Sequence, residues 1–142
     1  MRRLQKDFGQ IRTSNLYLSE AIGFKGDDFL NLALALNTTM SLADLLEYTD
    51  ELEKEAGRVR VYRGRYDSRT LDIDVVMFGD LQGLHNGREW PSEDINENAH
   101  VLLPMSEIAG EKRHPALGIR FNQLWQEFNQ DAQQLTRVER FW

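Results

Sequence analysis

The sequence predicts an α+β fold on three observations. Residues 11–18 and 29–36 carry apolar side chains at the two-residue spacing of strands. Residues 41–57 carry them at helical spacing behind a serine that can cap the first turn. A second helical stripe, Phe121, Leu124, Trp125 and Phe128, lies near the other end of the chain.

Taken in order, residues 1–8 read as the last two turns of a helix that Gly9 closes, in the position where a left-handed cap is usual. The strand at 11–18 centres on Leu16 and Tyr17, and residues 19–28, with Gly23 and Gly26, predict a loop. In the next strand Leu30, Leu32, Leu34 and Leu36 share one face and Phe29, Asn31, Ala33 and Ala35 the other, and Asn37-Thr38-Thr39 ends the run too early for a helix. Ser41 then opens a helix with Asp44 three positions on, close to a capping box. Leu42, Leu45, Leu46, Thr49, Leu52 and Ala56 follow helical spacing to Gly57, the expected C-cap. Asp50 and Glu53 share one face of this helix, where ordinary solvated acids are the default reading.

Residues 61–68 lack a burial pattern and predict an exposed loop rich in guanidinium groups. Residues 80–98, polar and punctuated by Gly83, Gly87 and Pro91, predict a long surface loop belonging to a site. A short helix is expected from Pro104, in its first turn, to Gly110 after its end. The stripe at 121–128 should face the core, and residues 135–142 read as a final edge strand. Neither a repeat nor a linker divides the chain, so a single domain over residues 1–142 is expected.

The unusual stretch is 69–79. It alternates like a core strand, with Leu71, Ile73, Val75 and Met77 on one face, yet Asp72 and Asp74 share the other face with Val76 and Phe78. Two like charges roughly 6 Å apart repel by roughly 3 kcal/mol at an effective dielectric of about 20. Two readings stand: the acids decorate the exposed early end of a strand, or they bind a cation that removes the repulsion.

Composition narrows the chemistry. With 41% hydrophobic and 28% charged residues in 142, the chain has the balance of a globular protein. It has no cysteine, which excludes disulfides and thiolate metal sites and makes a reducing cytoplasm the expected location. No apolar run approaches the roughly 20 residues of a membrane span, and no signal-peptide pattern stands at Met1. A net charge of −6 argues against a general nucleic-acid binder, but Arg58, Arg60, Arg63, Arg65 and Arg69 cluster as a local anion site. Neither a P-loop nor a dinucleotide-binding glycine motif is present, so phosphate would be held by metal and arginine. Paired acids beside that cluster suit magnesium-dependent phosphoryl or nucleotidyl transfer.

Four segments together resemble the 6-hydroxymethyl-7,8-dihydropterin pyrophosphokinase family. They are Asp28-Phe29-Leu30-Asn31; the run from Leu45 through Glu53 to Gly57-Arg58-Val59-Arg60; Arg69-Thr70-Leu71-Asp72-Ile73-Asp74, ending in Phe78-Gly79; and Val101-Leu102-Leu103-Pro104-Met105-Ser106-Glu107-Ile108-Ala109. The resemblance implies a ferredoxin-like α/β sandwich, with helices packed on an antiparallel sheet, and transfer of pyrophosphate from the co-substrate ATP to a pterin hydroxymethyl group, releasing AMP, in folate biosynthesis. It implies Asp72 and Asp74 as ligands of two Mg2+ ions, with Arg65 and Arg69 beside the reacting phosphates. It implies Phe29, Asn31, Ser19, Ile22 and His100 around the pterin, and Glu53, Asp50, Arg60, Arg69 and Ile73 around ATP. No nucleic-acid or membrane partner is implied, and a monomer is expected, with a dimer as the alternative.

The chain also departs from the family. The family opens with a strand and a Gly-Ser-Asn turn before its first helix, whereas this sequence starts inside that helix, so unpaired backbone and apolar surface are expected in the central slot of the sheet. Ser92, Asn98 and His100 stand where the family commonly has histidine, arginine and phenylalanine. Those departures keep open a catalytically weak or inactive homologue that binds a nucleotide or a partner, and an unrelated metal-dependent nucleotidyltransferase is a third reading.

Overall fold

In the computed structural model, which describes residues 1–19, 29–62 and 71–139, with 57–62 by their backbone alone, helices alternate with short antiparallel ladders. The order is α1 (Arg2–Phe8), β1 (Ile11–Thr13), β2 (Leu16–Ser19), β3 (Phe29–Asn31), β4 (Leu34–Leu36), α2 (Leu42–Tyr62), β5 (Gly83–His85), β6 (Arg88–Trp90), α3 (Asp94–Glu97), α4 (Ala99–Ala109), α5 (Phe121–Glu127) and β7 (Leu135–Val138). The α+β class holds. The sheet is divided among the described residues: β1 pairs with β4, β2 lies between β3 and β7, and β5 pairs with β6.

Each of the first two predicted strands is split in two, and the register gives the reason. Ile11 faces Leu36 and Thr13 faces Leu34, whereas Tyr17 faces Asn31 and Ser19 faces Phe29. Residues 14–16 on one side therefore span only 32–33 on the other, which is the extra residue of a β-bulge. Ser14 closes the gap. Its N–H donates to the Ala33 carbonyl at 3.0 Å, and its buried Oγ accepts the Ala33 N–H at 2.8 Å. Because a one-residue slip exchanges the two faces of a strand, the bulge decides that Phe29 and Asn31 share a face with Tyr17 and Ser19.

The helices start or end differently from expectation in two places. Ser41 caps α2 as predicted, its Oγ accepting the Asp44 N–H at 3.1 Å, but α2 continues through Gly57 to Tyr62. A glycine inside a helix costs only about 1 kcal/mol, less than the continued backbone hydrogen bonding returns. α4 begins at Ala99, so Pro104 sits inside it and not in its first turn. By contrast α1 ends at Gly9 as predicted, with φ of 76°, and packs on α2 through the edge-to-face pair Phe8 and Tyr48 at 5.1 Å and the Tyr48 hydroxyl donating to Asp7. β7 lies at the edge of its ladder, also as predicted. The predicted surface loop at 80–98 contains the β5–β6 hairpin and α3, because Asn86 and Gly87 both adopt positive φ and reverse the chain in two residues.

The largest correction concerns residues 71–78, which belong to no ladder among the described residues. An alternating pattern supplies faces, but a strand also needs a neighbour for its N–H and C=O groups. Nor do the two faces separate core from solvent: Val76 and Met77, adjacent in sequence, both pack on the core formed by Ile95, Leu102, Met105 and Phe121. Ala33, Leu124, Trp125 and Phe128 pack there too, which bears out the predicted stripe of α5 and ties the bulged hairpin, residues 71–78 and the helices to one apolar centre. Among the described residues no helix is long and apolar enough to cross a membrane. The expected loop at 19–28 lies outside the described residues from position 20 on, as do residues 63–70 of the arginine-rich stretch.

His114 fastens the turn that precedes α5. Its Nδ1 accepts the N–H groups of Ala116 and Leu117 at 3.1 and 3.2 Å, and its buried ring stands edge-on to Phe121 at 6.0 Å. Burial pushes its pKa below the usual 6.5, so the unfolded chain binds the proton more readily than the folded one. The stability contributed by neutral His114 is therefore complete above about pH 6.5 and lost as the pH falls from there through the lowered folded value. His114→Asn, which keeps an acceptor and cannot titrate, is expected to flatten the fall in urea midpoint between pH 7 and pH 5. Parallel wild-type and variant curves would show that His114 does not couple to folding.

Candidate active site

The site has two parts, both resting on the core described above. The first is the face set by the bulge. Ser19 lies directly across from Phe29 and Tyr17 across from Asn31, so all four point to one side. Asn31 Nδ2 donates to Ser19 Oγ at 2.9 Å, fixing the amide beside a Phe29 ring that remains 48% exposed. An exposed ring next to an oriented amide offers a planar heterocycle both a stacking surface and a donor–acceptor edge. Glu107 of α4 holds this strand: its carboxylate accepts the Asn15 N–H at 2.9 Å, Asn15 Nδ2 at 3.0 Å and the Tyr17 hydroxyl. Burial, followed by the hydrogen bond to Glu107, pushes the Tyr17 pKa up to about 12, so the phenol stays a donor.

The second part is residues 71–78. Outside any ladder among the described residues, this segment is held by α2 and by the chain entering α3. Glu53 Oε1 accepts the N–H of Ile73, the residue between the two aspartates, at 2.7 Å, and the Val76 carbonyl accepts the Ser92 N–H at 2.9 Å. Asp72 and Asp74 are both exposed. Partial burial, then repulsion from Asp94, raises the Asp74 pKa, Arg88 opposes the rise, and Asp72 contributes less than either. The carboxylate pressing hardest on Asp74 is thus Asp94, not its sequence neighbour. Asp94 is itself oriented by Asn98, whose Nδ2 donates to Asp94 Oδ1 at 3.1 Å, while Ser92 Oγ accepts the Asp94 N–H at 3.2 Å. His100, half-buried in the first turn of α4, has its pKa lowered by burial against an opposing pull from Asp94. It stands as a neutral ring at neutral pH.

The sequence-predicted residues fall into place unevenly. Phe29, Asn31 and Ser19 come together, Glu53 meets Ile73, and Asp74 meets acidic and basic partners from β6 and α3. Asp50 is exposed one turn before Glu53. Ile22, Arg65 and Arg69 lie outside the described residues, and so does the Arg60 side chain. Asp94 and Arg88 were missed. The Asn86-Gly87 pair, the strongest short-range hairpin signal, would have placed Arg88 at the start of a strand.

Oxygen donors of this kind suit a hard divalent cation. Among the described residues no group of three or more His, Cys, Asp or Glu side chains could hold a metal ion by itself. A cation here would complete its shell with water and substrate oxygens, the usual habit of magnesium. A cavity of about 460 Å3 opens beside Asp74.

A family model described as 7,8-dihydro-6-hydroxymethylpterin-pyrophosphokinase matches residues 1–110. The chain is 36% identical over 110 residues to a 2-amino-4-hydroxy-6-hydroxymethyldihydropteridine pyrophosphokinase of Pseudomonas aeruginosa, covering 74% of this chain and 64% of the relative. It is 31% identical over 113 residues to the protein of the same name from Synechocystis, covering 80% and 57%. It is 32% identical over 124 residues to the folic acid synthesis protein FOL1 of Dictyostelium discoideum, covering 87% and 19%. The chain therefore spans less than two thirds of the length of each of these relatives.

Glu53 gives the geometry a direct test. Glu53→Ala removes the acceptor for the Ile73 N–H and should cost about 1 to 2 kcal/mol, the range for a partly exposed hydrogen bond to a charged group. Faster amide exchange at Ile73 is expected in Glu53→Ala and near-native exchange in Glu53→Gln, which keeps an oxygen in place. Unchanged exchange in the alanine variant would show that α2 does not hold the segment.

Proposed function

Because the chain belongs to the 7,8-dihydro-6-hydroxymethylpterin-pyrophosphokinase family, we propose that it transfers pyrophosphate from ATP to the hydroxymethyl group of a reduced pterin and that Mg2+ is required. The hydroxymethyl oxygen attacks the β-phosphorus, the bond from that phosphorus to the oxygen of AMP breaks, AMP leaves, and the hydroxyl proton passes to water. A divalent cation bound between Asp72, Asp74 and the phosphates would neutralise charge developing on the transferred group. The chain's own residues supply position. Phe29 offers the pterin a ring to stack on, Asn31, steadied by Ser19, offers its amide to the heterocycle edge, and Glu53 fixes the backbone that carries both aspartates. Arg60, Arg65 and Arg69 supply guanidinium forks for phosphate, with Asp50 and Ile73 beside the nucleotide and His100 and Ile22 beside the pterin.

The observation that carries this reading is the pair of exposed aspartates on a segment anchored at the residue between them. A second reading, a family member that binds without turnover, is favoured by what Ser92 and Asn98 do: both are engaged with Asp94. AMP release from magnesium ATP and hydroxymethyldihydropterin separates the two.

Release above the no-enzyme background is expected from the wild type, and none above it from a folded preparation would leave the binding reading. Asp72→Asn and Asp74→Asn should each lower kcat by at least about a hundredfold, the scale for loss of a charge-stabilising group, with the thermal midpoint unchanged or raised, since each removes a repulsive charge. A fall in midpoint with retained turnover would make the aspartates structural. Phe29→Ala is expected to weaken pterin binding about tenfold, in line with the loss of one stacking contact, while ATP affinity holds; equal loss of both in calorimetry would misplace the pterin.

A further inference from the structure

The β5–β6 hairpin delivers one side chain to the acid cluster. Asn86 and Gly87 have φ of 53° and 76°, as a two-residue turn matched to strand twist requires. Residues two apart share a face, so Arg88 points the same way as Trp90, which is 3% exposed. The Trp90 Nε1–H donates to the His85 carbonyl at 2.9 Å, and the Ser92 N–H to Val76 docks the exit of the hairpin on residues 71–78. The result is Arg88 Nη1 at 3.8 Å from Asp74 Oδ1, with 49% of its side chain exposed. Among the described residues Arg88 is the basic residue in the lining of the cavity beside Asp74, to which Glu89, Glu93, Asp94 and Glu97 contribute carboxylates.

We infer that Arg88 is a movable counter-charge of this site, pairing with Asp74 when the site is empty and passing to the nucleotide phosphates when a divalent cation takes Asp74. This rests on the metal and nucleotide reading above. Among the described residues the cavity presents five carboxylates and one guanidinium, surroundings that repel a bare polyphosphate and favour one accompanied by cations. A bare cation arriving at Asp74 competes with Arg88 for the carboxylate. A cation arriving with nucleotide releases Arg88 and gives its planar fork phosphate oxygens to bind. Loss of Arg88 therefore acts with opposite signs, tightening bare metal and weakening the metal–nucleotide complex. A residue that only supported the hairpin would move both in one direction or neither.

The full 142-residue chain, as wild type, Arg88→Ala and Arg88→Lys, is titrated with Mn2+ alone, followed by its electron paramagnetic resonance signal, and with magnesium α,β-methylene-ATP by calorimetry. Arg88→Ala is expected to bind Mn2+ about two- to fivefold tighter, the range for losing a half-exposed ion pair, and methylene-ATP about tenfold more weakly. Arg88→Lys, which keeps the charge and guards against a folding artefact, should hold Mn2+ affinity within about twofold of wild type and restore part of the nucleotide affinity. Affinities of Arg88→Ala that move together, or do not move while the wild type binds both probes, overturn the role of Arg88 alone. A wild type that binds neither probe overturns the metal and nucleotide reading and this inference with it.

Discussion

The Glu53 carboxylate on the Ile73 N–H is the contact on which the acid half of the site depends. A segment that lies in no ladder must satisfy its backbone polar groups by other means, and each left buried and unpaired costs about as much as a lost hydrogen bond. Glu53 and Ser92 meet that need at two points, three residues apart on 71–78. Between and beside those points lie Asp72 and Asp74, facing solvent, while Val76 and Met77 sink into the core. The same strip of chain is thus anchored by apolar burial at one end and by a charged side chain at the other. Its two carboxylates are held in place while still exposed, so the desolvation that raises the Asp74 pKa stays below what a true core strand would impose.

The other half depends on a local irregularity. Without the extra residue among 14–16, the pairing of β1 and β2 with β4 and β3 would keep one register throughout, and the faces of its two ends could not be set independently. With it, the pairing of Tyr17 with Asn31 and of Ser19 with Phe29 brings those four side chains to one face, and Ala33 packs on the core. Glu107 then supports that face from α4, taking three donors onto one carboxylate. Burial and this carboxylate both keep the Tyr17 phenol protonated, so it serves as the donor of the contact.

The fold class, the capped start of α2, the α1 terminus at Gly9 and the core stripe of α5 were all legible, because each is encoded within one turn or one helical period. The bulge was not legible, since nothing in the alternation of 11–18 tells which partner residue will be skipped. Residues 71–78 misled for a related reason: period-two patterning reports which side chains are apolar, not whether a neighbouring strand exists. In the candidate site, the paired acids stood out by type and spacing, whereas Phe29 and Asn31 were expected from the family resemblance. Asp94 was not, because its relation to Asp74 is made only by α3 folding over the segment. Arg88 could have been found from the Asn86-Gly87 turn, which the polar composition of its surroundings disguised as loop.

The departures at 92 and 98 acquire a physical meaning once α3 is in view. Both side chains bind Asp94 instead of projecting a positive charge: the serine oxygen takes its backbone N–H, and the asparagine amide steadies its carboxylate. Asp94 in turn raises the pKa of Asp74 and pulls against the lowered pKa of His100. These two neutral side chains contribute no cation of their own and leave the charge of Asp94 to act on Asp74. A cluster of carboxylates in general favours a divalent cation and disfavours an uncomplexed anion. Arg88 of the β5–β6 hairpin, 3.8 Å from Asp74, is the guanidinium set against this acidity among the described residues lining the cavity.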